Sequence, residues 1–246
     1  MRITGTINAD LAANARTFAV NAGTSTVTFN NAVGDREAVE SLTITATTFN
    51  LGGDLTVNGN IALGAATTTT LATDVAIDTT GNSDGDTIVF AALNGAFGLT
   101  IAGGRADITF VGTTQLTGLT VSSSDTVAFT GVVSIPGDIS VTVSDVLATA
   151  INVQAAATID STAGSVTFTA TGGGISGATL NADVSADQNV TINGITTLAT
   201  GARILTADNG NITLNGDLRG SQTATLAALN GNVALDTVGA GADPTL

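Results

Sequence analysis

Ala207-Asp208-Asn209-Gly210-Asn211-Ile212-Thr213-Leu214 returns twenty-one residues later as Ala228-Leu229-Asn230-Gly231-Asn232-Val233-Ala234-Leu235, and its kernel stands earlier as Asn58-Gly59-Asn60-Ile61-Ala62-Leu63. Asn and Gly concentrate in turns, whereas aliphatic and β-branched residues at alternate positions half-bury a strand. The phrase therefore reads as a corner that opens a short strand. A period near twenty residues accommodates two or three strands of about five residues plus their corners, which is one turn of a stacked β-coil. In such a coil, Asn at equivalent corners stacks as a hydrogen-bonded ladder, and Gly is expected there to supply a positive φ.

Outward from this phrase, the same alternation recurs at Thr26-Val27-Thr28-Phe29, Leu42-Thr43-Ile44-Thr45, Asp107-Ile108-Thr109-Phe110, Thr126-Val127-Ala128-Phe129, Ser165-Val166-Thr167-Phe168 and Val190-Thr191-Ile192-Asn193. Strand signals arrive about every 8–12 residues, with no helix of ordinary length and no linker, so residues 1–246 read as one all-β domain. Residues 1–16 form a lead-in with a capping role, whose Ala-rich piece 10–16 is the one candidate helical turn; the Gly/Ala-rich residues 239–246 read as a flexible tail. The period of two points Phe29, Phe110, Phe129 and Phe168 inward beside Val27, Ile108, Val127 and Val166.

Phe29 and Phe110 lie 81 residues apart and Leu42 and Leu119 lie 77 apart, which reads as a longer repeat that has lost four residues from loop 33–40. Two architectures fit: a parallel β-solenoid of about eleven rungs, about 50 Å long at ~4.8 Å per rung, or tandem immunoglobulin-like β-sandwiches. The twenty-one-residue return, and the echo of Ala91-Ala92-Leu93-Asn94-Gly95 in Ala227-Ala228-Leu229-Asn230-Gly231, favour the solenoid.

Twenty acidic residues against six arginines give a net charge of −14. Polyanion binding needs a basic patch, so nucleic acid is excluded as a partner. Most of the acids are Asp, a turn former, which places the negative charge at corners. Without cysteine there is neither a disulfide framework nor a thiolate metal site. No stretch has the ~20 apolar residues of a membrane span. The opening Met1-Arg2-Ile3-Thr4 lacks an apolar export segment, so the chain is expected to begin inside a longer polypeptide. His, Cys, Lys, Tyr and Trp are all absent, which removes the imidazole base, the thiolate and the Schiff-base amine. A non-catalytic role is expected, with a β-helix polysaccharide-active enzyme as the remote alternative.

Three local features invite a chemical reading. In Gly81-Asn82-Ser83-Asp84-Gly85-Asp86-Thr87-Ile88, the oxygens of Asn82, Asp84 and Asp86 alternate around a glycine, as a Ca2+ loop requires; the phrase occurs once, and a solvated turn without a cofactor is the default. Glu37 and Glu40 flank Arg36 and read as exposed ion pairs. The Thr run 67–70 and the many x-Thr-x triplets invite comparison with the hydroxyl arrays of ice-binding solenoids. Such an array needs Thr in register on every rung of one face, and the interleaving of Ser, Ala and Asn argues instead for ordinary β-propensity.

The phrases Val27-Thr28-Phe29-Asn30-Asn31-Ala32-Val33-Gly34, Ser41-Leu42-Thr43-Ile44-Thr45-Ala46, Asp54-Leu55-Thr56-Val57-Asn58-Gly59-Asn60-Ile61 and Ile77-Asp78-Thr79-Thr80, with Ala207-Asp208-Asn209-Gly210-Asn211-Ile212, resemble the repeat regions of filamentous-haemagglutinin-like giant bacterial surface adhesins. The resemblance spans residues 18–238. It implies an exported right-handed parallel β-helix, extracellular or at the cell surface, serving as a structural segment of an adhesin or filament. Its partners would be other copies or neighbouring repeats of a longer chain. The alternative is a surface binding module gripping a host glycan or surface protein through its long loops, 33–40 or 79–86.

Overall fold

The structure is a computed structural model that describes residues 1–10, 16–63, 68–81, 83–145 and 149–238. Among these residues there are twenty-nine strands and no helix, hence none long and apolar enough to cross a membrane. Every strand pairing is parallel. Immunoglobulin-like sandwiches are built from antiparallel strands, so that alternative is excluded. The chain is a parallel β-solenoid of three faces.

The first face is an eleven-stranded stack running from Arg2–Ile3 to Ala224–Ala228, which bounds about ten turns. The second face runs from Thr17–Asn21 through Thr87–Phe90, Asp107–Phe110 and Thr126–Phe129 to the end of Ile212–Arg219. The third runs from Leu55–Thr56 through Gly98–Ala102, Ile139–Val143 and Val166–Ala170 to Val233–Val238. Turn length is not constant. Thr48 stacks on Thr68 after twenty residues, Thr114 on Val133 after nineteen, and Val132 on Thr158 after twenty-six. Register survives because surplus residues are accommodated at the corners, outside the ladders.

The interior follows from the two-residue alternation. Phe29, Phe110, Phe129 and Phe168 are buried with Val27, Ile108, Val127 and Val166, as the strand patterning predicts. Phe90, Phe110 and Phe129 occupy one register position on successive turns of the second face, with ring centroids 5.5 and 5.1 Å apart and ring planes within 14° of parallel. Phe168 extends the stack from the third face at 6.2 Å. At the other end of the coil, Phe29 and Phe49 meet edge to face at 4.9 Å. Two threonine hydroxyls in this interior, on Thr69 and Thr196, are buried without a hydrogen-bond partner. Each such group costs about 1–3 kcal/mol, which the surrounding apolar burial offsets.

The 81-residue echo is not a structural repeat. Phe29 lies on the first face over Leu51, Phe110 on the second between Phe90 and Phe129. Leu42 lies on the second face and Leu119 on the third. All three faces ask for the same pattern, apolar inward and Thr outward, so one string of residues serves on any of them.

The glycines of the Asn-Gly-Asn corners also act differently from the expectation. Neither Gly210 nor Gly231 has a positive φ. A Cβ on Gly231 would overlap the Gly210 carbonyl oxygen, and one on Gly210 the Gln188 carbonyl. It is the close approach of consecutive turns that demands glycine here.

Residues 1–10 belong to the coil itself: Arg2–Ile3 opens the first face, and Ile7 bridges Val33, which bridges Leu55. Of the expected helical turn, 10–16, residues 11–15 lie outside the described residues, as does the whole of the expected tail, 239–246.

Candidate functional site

The corner that opens the third face carries one residue per turn at an equivalent position: Asp74, Gly98, Gly118, Asp138, Ser165, Asn189, Asn211 and Asn232. Its side chains accept backbone N–H groups from the next turn. Asp74 Oδ1 accepts from Gly98 N at 2.8 Å, Asp138 Oδ1 from Ser165 N at 2.8 Å, Asn189 Oδ1 from Asn211 N at 2.9 Å and Asn211 Oδ1 from Asn232 N at 2.8 Å. Asn230 Nδ2 donates to Asn209 Oδ1 at 3.1 Å beside it. The Asn ladder read from the repeated phrase is therefore present, and Asp and Ser extend it down the coil. At Gly98 and Gly118 the column has no side chain, which leaves a shallow depression of about 510 Å3 lined by Asp54, Asp74, Thr100 and Thr117. Both carboxylates hold backbone amides, Asp54 that of Ala76 and Asp74 that of Gly98, each at 2.8 Å.

The acid-rich loop of the calcium reading lies at the corner that opens the second face. Asn82 is outside the described residues. Asp84 forms an ion pair with Arg105 of the following turn, both side chains exposed. Asp86 Oδ2 accepts from Ser83 N at 2.9 Å, and its Oδ1 accepts from Asn60 Nδ2 of the preceding turn at 3.1 Å. Asn60 Oδ1 in turn accepts from Thr87 N at 2.8 Å. The two described carboxylates are thus wired to the turns on either side. Among the described residues no three acidic side chains converge as a metal cluster, where Ca2+ needs six to eight oxygens.

Asp125 stands in the same corner. Burial pushes its carboxyl above the usual value, the Ser144 hydrogen bond pulls it down, Asp84 and Asp107 raise it, and Arg105 lowers it. A carboxyl raised in the folded state stabilises the fold while protonated, and that contribution is lost as pH rises through its raised folded pKa. Asp125→Asn keeps an acceptor for Ser144 and removes the charge. It is expected to melt slightly above the parent at pH 7, with the difference closing below about pH 4. Melting curves of both proteins between pH 3 and 7 check this; a difference independent of pH would contradict it.

Loop 33–40 is not a free gripping arm. Val33 and Val39 are buried, and Val39 bridges Val57. Gly34 N donates to Ile7 O at 2.6 Å, Arg36 N to Asn8 Oδ1 at 3.1 Å, and Ala9 N to Glu37 O at 3.2 Å. No ion pair joins Arg36 to Glu37 or Glu40 among the described residues, contrary to the sequence expectation. The backbone contacts fix the loop, with Arg36 and Glu40 exposed and Glu37 half-buried.

The threonines also depart from expectation, because they are in register. On the outward side of the third face, Thr100, Thr120, Ser140, Thr167, Thr191 and Thr213 stack on six consecutive turns. Two residues further along each strand, Thr142, Thr169, Asn193 and Asn215 form a second column. Unequal turn lengths hide both columns from any fixed-period reading of the sequence.

No protein-family model, curated protein sequence or solved structure matches the chain.

Proposed function

We propose that the chain is a structural, non-catalytic segment of an extracellular bacterial adhesin or cell-surface filament, and that its coil joins other coils end to end. The observation that carries this reading is the last described turn. Val233 is 43% exposed and Leu229 66%, and Ala224, Leu226, Val233 and Leu235 line an open apolar depression of about 360 Å3. Leu226, Val233 and Leu235 stand over Leu205, Ile212 and Leu214, which the next turn buries. Among the described residues the strands Ala224–Ala228 and Val233–Val238 each pair on one side only, Ala224–Ala228 with Arg203–Ala207 and Val233–Val238 with Ile212–Arg219. An unpaired strand edge over an apolar interior is a template for a further strand of the same kind.

At the opposite end, Arg2–Ile3 and Thr17–Asn21 offer the complementary edges on the first and second faces. A second copy stacked on the first face would pair strand on strand as successive turns of the chain do. The resemblance of the repeats to filamentous adhesin stalks supports the surface role, and the absence of His, Cys, Lys and Tyr supports a non-catalytic one. Negative-stain electron microscopy of the purified chain tests the reading. Filaments with an axial repeat of one rod length, about 50 Å, are the expected result. Monomers that persist at high concentration would overturn end-to-end joining.

A further inference from the structure

The outward side of the third face differs from the rest of the surface in three respects. It is regular: six hydroxyl-bearing residues, Thr100 to Thr213, repeat at the rung spacing of ~4.8 Å, and the second column runs beside them roughly 6.6 Å away, two residues along each strand. Over five consecutive turns it is uncharged: the strands Gly98–Ala102, Gly118–Ser123, Ile139–Val143, Val166–Ala170 and Val190–Asn193 contain no Asp, Glu or Arg, in a chain of net charge −14, and the strip is bounded by Asp78 on the turn before and Asp217 on the turn after. And its first column is unspent. The hydroxyls of Thr100, Thr120, Ser140, Thr167, Thr191 and Thr213 make no hydrogen bond within the described residues, whereas Asn193 and Asn215 in the second column link to Thr169 at 3.0 Å and to Asn193 at 2.8 Å.

The other faces lack this combination. The first carries Asp160 and exposed Val132 and Ile204 among its outward positions, and the second carries Asp107 and Arg219.

A threonine restricted at χ1 holds a methyl and a hydroxyl side by side in a fixed direction. Repeated on a ladder, such residues alternate apolar points, which confine the orientation of neighbouring water, with anchors that donate to and accept from it. Charges would turn that water radially; the five strands from Gly98–Ala102 to Val190–Asn193 carry none. The rung repeat lies close to the oxygen repeat along the basal axis of hexagonal ice, so water held on the grid is spaced as it is in the crystal. We propose that the third face binds ice. A crystalline polysaccharide also presents a periodic hydroxyl lattice, but protein faces that hold sugar rings stack them on aromatic side chains. No aromatic stands at an outward position of this face, and Phe168 on its inner side is buried.

The proposal does not depend on end-to-end joining, and its test is separate. The purified chain is equilibrated with slowly growing polycrystalline ice, and its concentration is compared between the ice and liquid fractions; crystal shape is followed in parallel in a nanolitre droplet. Enrichment in ice and faceted crystals are the expected results. Thr167→Tyr and Thr191→Tyr, in the middle of the array and pointing away from the core, are expected to abolish both without changing the melting temperature, while Thr28→Tyr on the first face leaves both intact. Exclusion of the parent chain from ice overturns the proposal whether or not the variants fold. So does enrichment that survives both substitutions in folded protein, or exclusion from ice together with co-sedimentation on microcrystalline cellulose, which would assign the grid to a polysaccharide.

Discussion

Phe110→Ala is expected to lower the free energy of unfolding by about 3–5 kcal/mol. Phe110 is fully buried, and its ring lies between those of Phe90 and Phe129 at 5.5 and 5.1 Å, within 14° and 10° of parallel. The substitution removes apolar area and both ring contacts together. It also leaves a void that the neighbours cannot close. Each turn is pinned above and below by parallel ladders, Thr87–Phe90 on one side and Thr126–Phe129 on the other, so the backbone cannot move inward without breaking register on two turns. The cost therefore falls toward the upper part of the range. Urea unfolding of parent and variant measures it through the midpoint, at unchanged slope. An unchanged midpoint would mean that Phe110 does not face the interior.

Gly112→Ala is expected to destabilise the fold by about 3 kcal/mol through overpacking. A methyl added at Gly112 would lie on the Ala91 carbonyl oxygen of the preceding turn, and Gly131 of the following turn is in turn pressed against the Gly112 carbonyl. The obstacle is backbone on a neighbouring rung, which cannot rotate aside as a side chain could. Gly5→Ala is the control. Nothing lies within 4 Å of a Cβ at Gly5, and its φ is not positive, so it is expected to change stability by less than about 0.5 kcal/mol. Equal effects of the two substitutions in thermal unfolding would show that the spacing between turns is looser than the structure has it.

The two substitutions mark the limits of what the chain discloses before it is folded. That Phe110 faces inward follows from Asp107-Ile108-Thr109-Phe110 alone, because a period of two leaves only one choice of side once Ile108 is buried. The corner ladder at Asn209 to Asn211 was equally legible, since the twenty-one-residue return places Asn over Asn. That Gly112 is indispensable was not legible. Val111-Gly112-Thr113 is an ordinary corner sequence, and only the position of Ala91 on the turn below makes it a contact. The hydroxyl column was hidden for a related reason: Thr120 to Ser140 is twenty residues, Ser140 to Thr167 twenty-seven and Thr167 to Thr191 twenty-four. No fixed offset finds all three. The acid-rich loop was legible as a turn, but its wiring to Asn60 below and Arg105 above depends on which corners the coil brings together.

Because every ladder is parallel and every rung stacks on the one before, the backbone hydrogen bonds point along the rod, while residues 1 and 238 lie at its opposite ends. Tension between the ends therefore pulls each bond along its own length and loads one turn at a time, instead of shearing many in concert. A turn that yields gives up a single rung, ~4.8 Å of rod, and releases about twenty residues, roughly 70 Å of extended chain. Under a pulling force such a coil lengthens in steps, paying out slack from one end while the turns behind it keep their shape.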